Sequence, residues 1–223
     1  MPPIAGLEAE GKVELRYAEQ FAAYRYKGGY TLLDVQDAGR YLVVPEGKPV
    51  PEGLPAELSV IRQPVRAAYL AASSALALWR RFGSLSAIRL TSTQEDDWYI
   101  PEARNAMAEG TLRYAGKYSA PDYELLLGEA CDLAIESTMI FHAPKVQEKL
   151  VALGIPVFVD TSSREAHPLG RLEWIRLYGI LARKEEEAAR FFEEQLALLA
   201  SEAKCPQTGK NAVFFYINQK GQA

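Results

Sequence analysis

The 223-residue sequence lacks several features that would assign it to a class at once. It has no uninterrupted apolar run of the roughly 18 residues that a membrane-spanning helix needs. Its formal net charge is -4, so the basic face typical of nucleic-acid-binding proteins is not predicted. The chain does not open with a charged segment followed by an apolar stretch, so no signal peptide is visible. The start of the sequence therefore fits either a cytoplasmic protein or a chain that begins after a removed signal.

Cysteine and histidine are scarce, with two of each. Cys131 and Cys205 lie far apart and neither belongs to a Cys-x-x-Cys pair, so we expect two separate buried thiols and no metal site. A catalytic triad would have to use His142 or His167, and neither lies in a recognisable motif. The phosphate-binding loop, the nucleophile elbow, the HExxH zinc motif and the dinucleotide fingerprint are all missing. We therefore predict no catalytic residue and no resident cofactor.

The composition is nevertheless that of a folded protein, because 48% of the residues are hydrophobic and 24% are charged. The first thirty residues are polar and poorly patterned. Residues 30–37 and 40–45 then alternate like the two strands of a hairpin around Ala38-Gly39. Residues 46–55 are rich in proline and glycine, so they are predicted to be a loop.

From residue 58 onward, short apolar segments alternate with longer segments of helical spacing. The predicted strands are residues 58–62, 87–91, 112–115, 133–136 and 157–160. The predicted helices are residues 67–82, 101–108, 120–130 and 144–153, and Ser119 is the expected N-cap of the third. This alternation is typical of a parallel sheet with helices on both faces. We therefore predict an α/β fold with a Rossmann-like parallel sheet and flanking helices.

The pattern changes after residue 166. Residues 168–181 and 184–203 are predicted as two nearly continuous helices, and the acidic start of the second suits the helix dipole. Residues 212–217 (AVFFYI) form a strand-like run with nothing after it to pair with. The inferred organisation is an N-terminal extension with a hairpin (1–57), an α/β lobe (58–166), connecting helices (167–205) and the first strand of a truncated second lobe (206–223). In the alternative organisation, this last strand pairs back onto the first sheet.

Polar and aromatic side chains follow the predicted strands, and ligands of open parallel sheets bind outside the carboxyl ends of the strands. The candidate ligand-binding residues are Ser73, Ser74, Thr93, Trp98, Tyr99, Lys117, Tyr118, Glu136, Ser137, Thr138 and Arg164. Several of them could instead have only a structural role. The aromatic residues could pack within a loop, and the two cations could be solvated surface charges. Glu136 follows an apolar strand directly, where a carboxylate is costly to bury unless it has a partner. It could accept backbone N–H groups or face a ligand.

Residues 114–137 (YAGKYSAPDYELLLGEACDLAIES) resemble the substrate-binding proteins of ABC importers for iron complexes, haem and cobalamin. In that family a glycine-containing strand end leads into a short helix and then into an acidic and apolar strand, whose place residues 131–135 take here. The G-I-P-V sequence at 154–157 is similar to the family's strand entry. Residues 167–184 (HPLGRLEWIRLYGILARK) are similar to the family's segment before the helix that connects its lobes. Residues 212–221 resemble the first strand and turn of its second lobe. The order and spacing of these segments together carry the resemblance.

The resemblance implies two α/β lobes joined by a long helix, here residues 184–203, with the ligand held between the lobes. It implies a non-enzymatic extracytoplasmic protein, periplasmic or anchored as a lipoprotein, that delivers an iron complex (siderophore or haem) or a corrinoid to an ABC permease in the membrane. The residues expected to give flat apolar contact are Trp98, Tyr99 and Tyr118, and those expected to pair with anionic groups are Lys117 and Arg164. If haem is the ligand, Tyr118 or His167 is a candidate ligand of its iron. The family docks on its permease through acidic residues, but its usual first-lobe position, near residues 75–77, carries no acid here.

Two other functions fit the same residues. A cytoplasmic Rossmann-like enzyme that acts on a small polar metabolite would use Glu136 as a general base. A metal-cofactor assembly protein or chaperone of the related two-lobed type is the third hypothesis. The C-terminal helix and strand would also allow a dimer, because exposed strand edges recruit partners.

Overall fold

Two separate five-stranded sheets build the part of the chain that the computed structural model describes, namely residues 1–202 and Gly209. The chain divides into two units, residues 1–192 and residues 193–223, and both sheets belong to the first. The strand predicted at residues 212–217 and the second cysteine, Cys205, lie outside the described residues. No helix within residues 1–202 is long and apolar enough to cross a membrane.

The first sheet contains the N-terminal strands in their order along the chain. These strands are β1 (Ala9–Lys12), β2 (Phe21–Tyr26), β3 (Tyr30–Val35), β4 (Gly39–Val44) and β5 (Leu58–Arg62). Neighbouring strands are antiparallel, except that β4 and β5 are parallel. Alternate side chains, including Tyr26, Leu32 and Leu42, form an apolar cluster on one face. The β3–β4 hairpin is the one that the sequence predicts.

Two parts of this sheet differ from the prediction. The first two strands lie in the segment whose hydrophobic pattern predicts no strand. β1 is largely exposed, and β2 buries the small Ala23 where a large apolar residue would have marked a strand. The pattern predicts residues 58–62 as a strand of the parallel sheet, but β5 pairs with β4 and places Val60 opposite Leu42. The local sequence of a five-residue strand does not indicate which sheet the strand joins. It therefore could not decide between the first sheet and the second, parallel sheet.

The second sheet is fully parallel, as the alternation predicts. In chain order the remaining strands are β6 (Ala68–Leu70), β7 (Ile88–Thr91), β8 (Arg113–Tyr114), β9 (Gly116–Lys117), β10 (Ala120–Pro121), β11 (Leu133–Ser137) and β12 (Val157–Asp160). β9 and β10 pair only with each other, as a small antiparallel hairpin, and the other five form the sheet in the order β12-β11-β6-β7-β8. The three strands β6, β11 and β12 are buried on both faces, which explains their apolar runs, whereas the edge strand β8 is exposed.

The described helices are α1 (Leu76–Trp79), α2 (Pro101–Ala108), α3 (Tyr123–Gly128), α4 (Pro144–Ala152), α5 (Pro168–Ala182) and α6 (Glu185–Glu202). α2 has the predicted bounds, and α4, α5 and α6 begin and end within one residue of theirs. The helix predicted over residues 67–82 is wrong in its first part, because β6 occupies residues 68–70 and only short helical turns follow it. Tyr69 and Leu70 are fully buried in β6, which pairs with β11 on one side and β7 on the other. Apolar residues whose spacing predicts a helix therefore form a strand here.

The helix predicted over residues 120–130 is also shorter than expected. Ser119 lies at the tip of the β9–β10 hairpin and does not cap a helix. Asp122 caps α3 instead, and its carboxylate accepts a hydrogen bond from the Leu125 N–H at 3.0 Å. The hairpin therefore occupies the residues that would have formed the first turn.

Two carboxylates hold the segment before β2 against α5. Glu173 of α5 is fully buried and accepts hydrogen bonds from the backbone N–H groups of Arg16, Tyr17 and Ala18 at 2.8–3.0 Å. Glu165, just before α5, accepts the next two N–H groups, those of residues 19 and 20, at 2.9 and 3.0 Å. We call this set of bonds the carboxylate clamp. It pairs five consecutive backbone donors with two buried charges, which makes the burial of those charges tolerable.

A glycine allows the clamp to close. At Gly170 a Cβ atom would lie 2.8 Å from the backbone oxygen of Tyr17 and 3.0 Å from a carboxylate oxygen of Glu165. The indole N–H of Trp174 donates to the other oxygen of Glu165 at 2.9 Å. The clamp therefore depends on close backbone approach as well as on charge.

We expect the substitution Glu173→Gln to lower the free energy of unfolding by about 2–4 kcal/mol, because the amide places N–H donors against backbone N–H groups. Urea-induced unfolding followed by tryptophan fluorescence measures this change. The matched control is Glu186→Gln, an exposed carboxylate in the first turn of α6, which should change the stability by less than about 0.5 kcal/mol. Equal effects of the two substitutions would show that the clamp contributes nothing.

Candidate functional site

The strand order of the parallel sheet reverses between β6 and β11. The chain passes from β6 outward to β7 and β8, and returns on the other side of β6 to form β11 and β12. The ends of the two central strands stay together, because the backbone N–H groups of Ala71 and Ala72 both donate to the oxygen of Ile135, at 2.9 and 3.0 Å. In open α/β sheets such a reversal creates a crevice outside the carboxyl ends of the strands. We call this side of the sheet the carboxyl edge.

Hydroxyl side chains follow β6 and β7 at this edge. Ser73 and Ser74 are exposed in the single helical turn after β6. Thr93 is partly buried, and its N–H donates to the hydroxyl of Thr91 at 3.2 Å. Thr91 in turn donates to the oxygen of Leu70 at 3.2 Å, so this buried hydroxyl ties the ends of β6 and β7 together. Sequence reasoning missed this role of Thr91, because the residue is predicted only as the last residue of a strand.

The two aromatic residues after β7 have opposite environments. Tyr99 is 98% exposed, whereas the neighbouring Trp98 is buried. Tyr99 can therefore offer a flat surface to a ligand. Trp98 is buried within the loop, and its contact with a ligand stays a prediction.

The β9–β10 hairpin carries Lys117 and Tyr118 at the end of β8. Lys117 is exposed and Tyr118 is half-buried. The hairpin requires Gly116, whose φ is +81° and whose Cβ would lie 2.5 Å from the backbone oxygen of Ala120. The hydroxyl of Tyr69 donates to the backbone oxygen of Gly116 at 3.1 Å, which anchors the hairpin on the sheet.

Glu136, in β11, is fully buried, and neither of its carboxyl oxygens has a hydrogen-bond partner among the described residues. Burial raises the pKa of this carboxyl to about 8. Burial also raises the pKa of the neighbouring Tyr69 hydroxyl, and the charge of Glu136 raises it further. The next residues, Ser137 and Thr138, are partly exposed, and the Ser137 hydroxyl accepts the N–H of Met139 at 3.3 Å.

The end of β12 holds the second cation of the site. Arg164 lies 3.4 Å from the carboxylate of Asp37, which belongs to the β3–β4 turn, and its guanidinium lies 5.9 Å from the ring centre of Phe141. The buried carboxylate of Asp160 accepts the N–H of Ser162 at 2.6 Å and the hydroxyl of Tyr178. Arg164 is thus positioned by both sheets, a contact that no local pattern could predict.

Three strand ends at the carboxyl edge bear buried polar atoms without a partner in the described part of the chain. They are the indole N–H of Trp98, both carboxyl oxygens of Glu136 and the hydroxyl of Thr161. An unpartnered indole also occurs at Trp79, so Glu136 and Thr161 are the more informative of these residues. Buried polar groups are normally paired, and exceptions of this kind concentrate where a protein binds or reacts.

The exposed surface of the carboxyl edge is partly apolar. Three apolar side chains, Tyr99, Met139 and Phe141, are exposed at this edge, and the last two come from the turn after β11.

The candidate iron ligand His167 has structural contacts of its own. Its Nδ1 accepts the N–H of Leu169 at 3.1 Å and its ring stacks on Tyr17. Within residues 1–202, no three His, Cys, Asp or Glu side chains come together to hold a metal ion.

No family model matches the chain. An uncharacterized lipoprotein of Methanocaldococcus jannaschii is 27% identical over 188 residues, which cover 75% of this chain and 44% of that protein. The molybdate-binding protein MolA of Haemophilus influenzae superposes with a TM-score of 0.51 and 15% identity, over 66% of this chain and 51% of that chain. A possible iron-binding periplasmic solute-binding protein of Staphylococcus epidermidis superposes with a TM-score of 0.50 and 18% identity, over 66% of this chain and 55% of that chain.

The chain thus spans about half the length of the proteins that it matches. The structural matches show that the described α/β unit has a fold found in periplasmic binding proteins. The resemblance to ABC substrate-binding proteins that the sequence indicates is therefore confirmed at the level of the fold. Both matched structures are described as binding proteins and not as enzymes.

We expect the free energy of unfolding to depend on pH through Glu136. The unfolded chain releases the proton near the ordinary value of 4.5, whereas the folded chain keeps it up to a pKa of about 8. Between these values the folded state binds more protons, so Glu136 lowers the stability as the pH rises, by at most about 1.4 kcal/mol per pH unit. Urea unfolding of the wild type and of Glu136→Gln from pH 5 to pH 8 measures the difference in slope. Parallel curves for the two proteins would contradict a buried neutral carboxyl.

The hairpin gives a second prediction. We expect Gly116→Ala to lower the free energy of unfolding by at least about 1–2 kcal/mol more than Gly110→Ala does. Both glycines have positive φ, but a Cβ at Gly110 would meet no atom within 4 Å. Thermal or urea unfolding compares the two variants, and equal losses would mean that the close approach to Ala120 costs nothing.

Proposed function

We propose that this chain is the ligand-binding lobe of an extracytoplasmic solute receptor that delivers its ligand to an ABC permease in the membrane. The observation that carries the proposal is the crevice at the carboxyl edge, where the strand order reverses between β6 and β11. Exposed aromatic and cationic side chains surround the same edge. This arrangement suits a ligand that lies across the edge and is enclosed from the other side.

Each candidate residue takes a role that follows from its exposure. Tyr99 and Tyr118 offer flat apolar contact, and Lys117 and Arg164 pair with anionic groups by charge-assisted hydrogen bonds. The hydroxyl contacts come from Ser73, Ser74, Thr93, Ser137 and Thr138. Glu136 and Trp98 are buried, so we place them under the site, where they shape it without touching the ligand.

The chemistry of the edge favours a large ligand with an apolar plane and peripheral anionic groups, such as an iron complex, haem or a corrinoid. Two cations on different elements, Lys117 on the hairpin and Arg164 after β12, are suited to separate anionic groups of one molecule. MolA is described as bound to molybdate, a small oxyanion. A small oxyanion would leave the exposed aromatic side chains without a role, so it is the less favoured ligand class.

The length of the matched proteins supports a second lobe. Because the chain spans about half of them, we propose that residues 58–166 form the core of the first lobe and that residues 167–205 connect it to the second, which begins near residue 206. The N-terminal sheet adds residues 1–57 to the first lobe. A helical connection would restrict closure of the two lobes to a small movement. The lipoprotein name of the archaeal relative supports an extracytoplasmic location.

A cytoplasmic enzyme is the second candidate, and one observation favours it. Burial raises the pKa of Glu136 to about 8, and such values are common for general acids and bases. The carboxyl has no exposed surface, however, so a substrate cannot reach it in the described structure. The substitution Glu136→Gln separates the two functions, because it would abolish turnover by an enzyme but change only the affinity of a receptor.

The test is a titration of the purified chain, and of any longer form encoded by the same gene, with haem, cyanocobalamin, a ferric siderophore and molybdate. Absorbance and tryptophan quenching report binding. We expect saturable binding of one iron complex or corrinoid, and a roughly tenfold weaker affinity for Lys117→Ala and for Arg164→Ala. The control, Lys149→Ala in the last turn of α4, should leave the affinity unchanged.

Saturable binding of molybdate alone would overturn the ligand class and leave the receptor function standing. Binding only by the longer form would show that both lobes are needed. No binding of any probe by either form would contradict the receptor function with these ligands and favour the enzyme.

A further inference from the structure

The turn between β3 and β4 reaches the carboxyl edge of the parallel sheet. Ala38 of this turn packs against the apolar cluster that contains Ile140, after β11, and Val159, in β12. The buried Tyr41 of β4 fixes the turn, because its hydroxyl accepts the N–H of Val159 at 3.2 Å and donates to the oxygen of Ala38 at 3.4 Å. The turn is therefore held against the strand that leads to Arg164.

Asp37, in the middle of this turn, is the acidic partner of Arg164. Its Oδ2 lies 3.4 Å from Nη1 of the guanidinium, and the two residues are 127 positions apart in the sequence. The distance is longer than that of a strong charge-assisted hydrogen bond, and the Asp37 side chain is 74% exposed. Exposed pairs of this kind change an equilibrium only on the order of two- to fivefold. Another anion can therefore replace the Asp37 carboxylate at little cost.

The backbone of Asp37 is in the left-handed region, with a φ of +56°. Among residues with a side chain, asparagine and aspartate adopt this conformation most readily. The substitution Asp37→Asn therefore removes the charge and is compatible with the same turn. This makes it a clean probe of what the carboxylate does to Arg164.

The two cations of the carboxyl edge differ in their partners. Lys117 is exposed and has no ion pair within residues 1–202. The guanidinium of Arg164 has the Asp37 carboxylate at one nitrogen and the ring of Phe141 at 5.9 Å, and in the described part of the chain it donates no other hydrogen bond. An anion that approaches Arg164 therefore meets a charge that already has a counter-ion.

We propose that Asp37 is a specificity-determining residue of the carboxyl edge: it is the counter-ion of Arg164 until an anionic group of the ligand displaces it. The proposal rests on the proposed function, in which Arg164 pairs with such a group. Two anions on one guanidinium repel each other, so the arriving group binds at the cost of the Asp37 contact. The affinity that remains must come from contacts elsewhere on the edge.

The displacement gives the site a filter against small anions. Sulfate or phosphate gains only Arg164, and it competes there with a carboxylate that the turn already holds in place. A larger ligand also contacts Lys117 or the exposed ring of Tyr99, and these contacts offset the loss of the Asp37 pair. Specificity thus comes from a repulsive element as well as from attractive ones.

The first test needs no receptor ligand. Phenylglyoxal modifies accessible arginine side chains, and mass spectrometry of the peptide that contains Arg164 gives the rate of its modification. We expect Asp37→Asn to raise this rate about threefold, because the carboxylate shields the guanidinium and favours its charged, unreactive form. Sulfate, added at constant ionic strength, should slow the modification of Asp37→Asn at least about twofold and leave the wild type unchanged.

The matched control is Asp96→Asn, which removes an exposed acid after β7 at the same edge. Asp96 makes no ion pair with Arg164, so this variant should show the wild-type rate at Arg164, with and without sulfate. Exposed Arg104 of α2 is the internal reference for the reagent. Equal rates at Arg164 in Asp37→Asn and in the wild type would overturn the proposal, and so would protection of the wild type by sulfate.

The second test measures the affinity for haem, which carries two carboxylates on a flat ring. We expect Asp37→Asn to bind haem about fivefold more tightly than the wild type. In an Arg164→Ala background the same substitution should change the affinity by less than about twofold, because the competition no longer exists. Weaker binding by Asp37→Asn would overturn the displacement and show that Asp37 positions Arg164 for the ligand.

Failure of the proposed function gives a different result. If no variant binds haem, the receptor function with haem is contradicted. The modification rates of Arg164, with and without sulfate, then still decide whether Asp37 keeps small anions away from it.

Discussion

The carboxylate clamp is the interaction on which the relation between the two sheets depends. Glu173 and Glu165 belong to the region of α5, which packs on the parallel sheet, while the N–H groups that they bind lead directly into β2 of the first sheet. A second contact, from the Val159 N–H to the hydroxyl of Tyr41, joins β12 to β4 at 3.2 Å. The buried charges make the clamp specific, because five consecutive N–H groups of this segment donate to them.

The position of Arg164 shows why the clamp matters for the site. Its partner Asp37 belongs to the turn of the first sheet, and its other neighbour, Phe141, follows a strand of the second. The guanidinium therefore contacts side chains that belong to both sheets. In the proposed site, the N-terminal sheet supplies one of the neighbours of this cation.

The spacing of apolar residues predicted those helices and strands whose local pattern agrees with their tertiary contacts. α2, α4 and α5 were predictable because their spacing and their proline starts are local signals, and a glycine follows both α2 and α4. The segment around Tyr69 was not, because the same apolar residues satisfy a buried strand and a helix, and only the neighbouring strands decide. The membership of β5 depends likewise on its tertiary partner, because β5 pairs in parallel with the preceding strand β4 and not with the second sheet.

For the site, the sequence could predict which strand ends meet, since that follows from the parallel topology. It could not predict that Trp98 is buried while Tyr99 is exposed, because adjacent aromatic residues carry the same local signal. It identified Glu136 as unusual from its place after an apolar strand. Whether that carboxyl has a partner depends on side chains from β6, α3 and β12, and only the assembled fold shows that it has none among the described residues.

The clamp also limits the order in which the chain can fold. Its partners lie 157 residues apart for Arg16 and Glu173, and 145 residues apart for Gln20 and Glu165. Contacts of such separation close a long loop, so they form after local hairpins and helices have appeared. During synthesis the N-terminal strands emerge long before α5 exists, and their final position must wait for it. The contact that locks the two sheets together is therefore among the last that the growing chain can make.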